Sequence, residues 1–65
     1  MSAVTESFKA GSIKSAEDEL ERRRFTRTDA GKKIPSQWMN GAHNWATIEP
    51  LTGGRVLVKI GVSTL

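Results

Sequence analysis

The sequence predicts a small α+β domain: one short N-terminal helix over about 15–24, packed on a small antiparallel sheet dominated by a C-terminal β-hairpin over about 45–62. Three observations predict it. β-Branched and aliphatic residues are dense only between Trp45 and Val62. Within that stretch two apolar arms flank Gly53-Gly54, the pattern of a hairpin. Upstream, a run from Ser15 to Arg24 passes from hydroxyl to acidic to basic residues, which is the charge order of a short helix.

Composition narrows the field of functions. A chain of 65 residues forms one domain at most and buries a modest share of its surface. With no cysteine, disulfides and thiolate-bound zinc are excluded, and one histidine, His43, is too few for a metal cage. No cofactor and no small-molecule substrate is expected. No run has the length of a membrane span, and nothing before Ser12 has the pattern of a signal peptide, so the expected setting is cytoplasmic, or a virion if the chain is viral. The net charge of +3 leans toward anionic partners.

Taken in order, residues 1–12 are rich in Ser, Thr, Ala and Gly and carry one aromatic residue, Phe8. They read as a disordered arm ahead of a single domain over 13–65, with Phe8 free to dock on a partner. Ser15 is the expected N-cap, with Asp18 three residues on. Glu17, Asp18 and Glu19 then occupy the first turn. Asp18–Arg22 and Glu19–Arg23 stand at the helical i,i+4 spacing. Ile13, Ala16 and Leu20 make a thin apolar face. Phe25 lies off that stripe, so the helix is expected to end before it.

Arg23 to Thr28 has two readings. In one it is a strand, with Asp29-Ala30-Gly31 as a turn and a second hairpin over 23–38. In the other the helix runs on to Thr28 and Gly31 caps it. Pro35 to Met39 suits a helical turn with proline first, and Asn40-Gly41 a tight turn. In the C-terminal hairpin, a two-residue Gly53-Gly54 loop sets Leu51 opposite Val56, Glu49 opposite Val58 and Thr47 opposite Ile60; a wider loop from Glu49 to Arg55 is the alternative. Val56, Val58, Ile60 and Val62 share one face. Pro50 cannot donate to a ladder, so its strand is expected at an edge or broken there.

Two stretches bear on function. Arg22–Lys33 holds six basic residues (Arg22, Arg23, Arg24, Arg27, Lys32 and Lys33) and one acidic residue, a net +5 in a chain of +3. Guanidinium groups in such a run suit nucleic-acid phosphates, whereas the carboxylates of Glu17 to Glu21 are near enough in sequence to offset them. Trp38 and Trp45, with Phe8 and Phe25, are candidates for stacking or for an interface; at least one tryptophan is needed in the core, because aliphatic residues are few. Ser36, His43 and Asp29 or Glu49 are the residue types of a nucleophilic triad without its context, and no catalytic residue is assigned. Ser63-Thr64-Leu65 reads as a terminal strand.

The apolar supply outside the hairpin is short, and a hairpin edge is left open. The leading expectation is therefore a small non-enzymatic protein-interaction module: an adaptor, inhibitor or minor component of a larger assembly, viral or phage assemblies included, with a protein partner or self-association. The alternative is a small basic nucleic-acid-binding protein contacting phosphates through Arg22–Lys33.

Overall fold

The computed structural model of the chain describes residues 2–28 and 34–63. It has the expected α+β class: one helix on a five-stranded antiparallel sheet. The strands are β1 (Ser2–Ala10), β2 (Thr26–Arg27), β3 (Ser36–Asn40), β4 (Asn44–Pro50) and β5 (Val56–Ser63), arranged in the order β1-β5-β4-β3-β2. The helix α1 (Ile13–Arg22) crosses one face between β1 and β2.

The first correction concerns the N-terminus. Residues 2–10 are not a disordered arm but the nine-residue edge strand β1, paired along β5 from Ser2↔Ser63 to Ala10↔Val56. Valine, threonine and phenylalanine here outweigh the polar composition, because Phe8 and Ala10 reach the core from alternate positions. A bulge at Thr5 interrupts the ladder between Val4 and Glu6, and the Thr5 hydroxyl donates to the Ile60 carbonyl at 3.2 Å.

The helix starts earlier than expected. Ser12 is its N-cap, in extended backbone, with its Oγ accepting from the Ser15 N–H at 3.1 Å. The acidic residues therefore lie beyond the first turn. Ala16 and Leu20 are fully buried, whereas Ile13 remains 39% exposed and adds little to the core.

The helix ends before Phe25, and the ending is specific. Arg24 takes a left-handed φ of 67°. The Phe25 N–H donates to the Leu20 carbonyl at 2.9 Å and the Arg24 N–H to the Glu21 carbonyl at 3.0 Å, the paired bonds of a Schellman cap. This reversal turns Phe25 back beside Leu20, and both are buried.

Of the two readings of 23–28, the structure takes the strand one only at its end, in β2, because Arg23 to Phe25 form the helix cap. Thr26 pairs with Met39 and Arg27 with Trp38, and the Thr28 N–H donates to the Gln37 carbonyl at 2.9 Å. The turn expected at Asp29-Ala30-Gly31 lies outside the described residues. Pro35 starts no helical turn. A cis peptide joins it to Ile34, and the chain continues directly into β3, where alternation buries Ser36 and Trp38. Asn40-Gly41 does turn, with Gly41 at φ 75° between the paired Asn40 and Asn44.

In the C-terminal hairpin the loop spans 51–55, wider than the two-residue reading and narrower than the one from Glu49 to Arg55, because Glu49 and Pro50 still pair with Leu57 and Val56. Thr52–Gly54 is a 3-10 turn, Gly53 and Gly54 have φ of 76° and 79°, and the Leu51 N–H donates to the Arg55 carbonyl at 2.9 Å. The register is therefore one residue away from the two-residue-loop reading: Ile48 faces Val58 and Ala46 faces Ile60. That single step puts Ile48, rather than Glu49, on the core face. β4 is an inner strand, and of the two expectations for Pro50 it is the break that applies: the strand ends there. Pro50 is tolerated because it is the strand's last residue: β3 reaches only as far as Ser36, opposite Ile48. Since Leu51 bonds toward β5, the nitrogen of Pro50 points to the β3 side, where no strand remains.

Ala16 and Leu20 of the helix pack on Phe25, Trp38, Ile48, Val56, Val58 and Ile60, all buried, with Phe8, Ala10 and Ile34 packed around them. The half-core expected from the hairpin is completed by β1, Phe25 and Trp38.

Candidate interaction surfaces

The opposite face of the sheet is covered by none of the described elements. Paired strand residues share a face, so the register places Val4, Gly61, Trp45, Met39 and Thr26 in one row across the open face. Ser7, Lys59, Thr47 and Gln37 form the next row, and Lys9, Leu57 and Glu49 the next. Val4 is 55% exposed, and Met39, Trp45 and Leu57 are half-buried.

The first row rests on a glycine. A Cβ at Gly61 would collide with the Ala3 carbonyl oxygen and with the Trp45 ring. Its absence lets the Trp45 indole lie across the backbone of β5. The Trp45 Nε1 is buried there and finds no acceptor among the described residues. A shallow cavity of ≈ 260 Å³ opens beside it, and its lining includes Gln37, Trp38, Met39, Trp45 and Thr47. Lys59 and Glu49 are paired at 3.4 Å on this same face. Trp38, by contrast, faces the helix. It is 4% exposed, and its Nε1 donates to the Ser36 Oγ at 3.1 Å.

Of the four described residues of the basic run, three face carboxylates. Arg23 is the node. Its Nε bonds Glu19 at 2.9 Å, its two terminal nitrogens bond both oxygens of Glu6 at 2.9 Å, and its guanidinium stacks 5.3 Å from the centre of the Phe8 ring. Hydrogen bonds from Arg23 hold the Glu6 carboxyl below the usual carboxylate range, and those bonds raise the Arg23 pKa in turn. Arg22 pairs with Glu19 at 2.7 Å and Arg27 with Glu17 at 3.5 Å. Asp18 takes Lys14, at 3.7 Å, rather than Arg22. Arg24 is exposed and makes no ion pair among the described residues. Lys32 and Lys33 lie outside them.

The structure therefore separates the expected site residues. Phe8, Phe25 and Trp38 belong to the helix face, and Trp45 alone belongs to the open face. Arg22, Arg23 and Arg27 form no comb of free guanidinium groups, because the helix carboxylates reach them. Ser36 is buried under Trp38 while His43 sits in the turn at the other end of β3, so the triad residue types do not meet. Val4, Met39, Gly61 and Glu6 were not singled out from sequence. Gly61 had a signal, a lone glycine in a valine-rich strand, which marks close approach of another group.

No helix is long and apolar enough to cross a membrane among the described residues. No protein family, curated protein or solved structure matches the chain.

Proposed function

We propose that the protein is a small non-enzymatic interaction module that docks another protein on the open face of its sheet, as an adaptor, inhibitor or minor component of a larger assembly. The observation that carries this reading is the row Val4–Gly61–Trp45–Met39. It is an apolar strip on a sheet face whose only described helix is committed to the other side. The competing reading, phosphate contact through Arg22–Lys33, is weakened by the carboxylates that hold Arg22, Arg23 and Arg27.

Site-specific photo-cross-linking tests it. A benzophenone side chain at Gln37, exposed on the open face, should give protein adducts that survive nuclease treatment and high salt. The same group at Lys14, on the outer side of the helix, should give none. Adducts that nuclease removes, or adducts from Lys14 alone, would overturn the reading.

A further inference from the structure

The sheet has two unequal edges. β2 is two residues long, whereas β1 runs for nine. The hydrogen-bond pattern shows which backbone groups of β1 point away from β5. In the β4–β5 ladder the Leu51 N–H donates to the Arg55 carbonyl and the Ser63 N–H to the His43 carbonyl. Odd-numbered residues of β5 therefore bond toward β4, and even-numbered ones toward β1. Val56, Val58 and Ile60 stand opposite Ala10, Phe8 and Glu6. The N–H and C=O groups of Ser7 and Lys9 must then point out of the sheet, and both residues are exposed.

We infer that β1 pairs antiparallel with β1 of a second copy of this chain, through Glu6–Ala10, with Phe8 on the two-fold axis. Three observations select this occupant and register. First, the segment Glu6–Ala10, which follows the bulge at Thr5, is regular, and a pairing centred on Phe8 uses no residue outside it. Second, this centre sets Ser7 opposite Lys9 of the second copy, so the outward-pointing groups bond each other reciprocally. It sets Glu6 opposite Ala10, so no like charges meet. Phe8 meets its own copy as a non-hydrogen-bonded pair, where side chains approach most closely, each ring already backed by Arg23. Third, β2 is too short to receive β1, so addition at the long edge closes as a symmetric pair instead of growing into a filament. The two-fold axis stands perpendicular to the sheet. Both helices fall on one side, and the two open faces become one continuous surface. This pairing uses an edge and does not depend on what docks on the face.

Sedimentation equilibrium and amide exchange on the full chain test the inference together. Five paired residues bury less than the roughly 800 Å² per partner of a stable complex, so the dimer should form between about 10 µM and 1 mM. As it forms, the amides of Ser7 and Lys9 should become protected, having exchanged freely in the dilute monomer. K9P removes a donor that the β1–β5 ladder does not use, and should abolish the dimer. Should K9P fail to fold, changes at exposed Ser7 decide the matter: S7E, opposite Lys9, should tighten the dimer and S7K should loosen it, each by roughly two- to tenfold. A chain that stays monomeric at 1 mM overturns the inference. So does a dimer that leaves the Ser7 and Lys9 amides unprotected or is indifferent to charge at Ser7.

Discussion

The two tryptophans sit on opposite faces of one sheet, and their surroundings differ in kind. Trp38 is closed over by the helix side of the molecule, and its N–H has the buried Ser36 hydroxyl as acceptor. Trp45 is laid over a glycine on a face that no described element covers, and its N–H has no acceptor among the described residues. Both are apolar and both contact the sheet, so hydrophobicity alone does not distinguish core from candidate interface. Polar satisfaction does. A finished core provides for its polar atoms, and an unfinished face leaves one unprovided for.

Truncation gives the largest test of that contrast. Trp38→Ala opens a cavity under α1 and leaves the Ser36 hydroxyl without its donor, at a cost of about 3–5 kcal/mol. For a domain of this size that is most of its stability. Trp45→Ala removes a half-buried ring, costing about 1–2 kcal/mol. Trp45→Phe keeps much of the ring and deletes the unpaired N–H, and should be neutral or stabilising by up to about 1 kcal/mol. Urea unfolding followed by far-ultraviolet circular dichroism measures all three. Equal losses for Trp38→Ala and Trp45→Ala would erase the distinction between the faces.

Gly61 sharpens the comparison from the open side. Gly61→Ala drives a methyl against the Ala3 carbonyl and the Trp45 ring. The carbonyl is backbone and cannot yield without parting β1 from β5, so a loss of about 1–3 kcal/mol is expected. Trp45→Ala in the same chain removes half of the collision. The double mutant should then be more stable than the sum of the single losses predicts, by about 0.5–2 kcal/mol. Strict additivity would mean that the indole does not rest on Gly61.

How far the fold can be read from the chain follows from these same residues. The helix, the valine face and the Asn40-Gly41 turn are legible because each is local: a charge order, a period of two, a turn dipeptide. β1 is not, because what makes it a strand is a partner more than forty residues away in β5. The hairpin register is not, because two adjacent glycines fit a two-residue loop as well as the five-residue loop that forms, and one step exchanges Ile48 for Glu49. The basic run is legible as composition but not as a site. The pairing of Glu19 with Arg22 and Arg23 is local and legible in the helical spacing, whereas Glu6 of β1 reaches Arg23, and Glu17 reaches Arg27, only after folding.

Arg24 supplies the smallest effect and separates the two faces most cleanly. The Schellman cap needs a left-handed residue at this position, where glycine pays no Cβ penalty and arginine does. Arg24→Gly relieves roughly 1 kcal/mol of strain and gives back part of it to the more flexible unfolded chain, for a net gain of about 0.5 kcal/mol. Arg24→Ala shortens the side chain without freeing the backbone and should bring no gain. Both changes act where Phe25 turns into the helix face, so cross-linking from Gln37 on the open face should not move. A loss of stability in Arg24→Gly would mean that the exposed guanidinium makes a contact worth more than the strain it imposes. A loss of cross-linking with stability intact would put Arg24 itself in the docking surface and return this arginine of the basic run to the function.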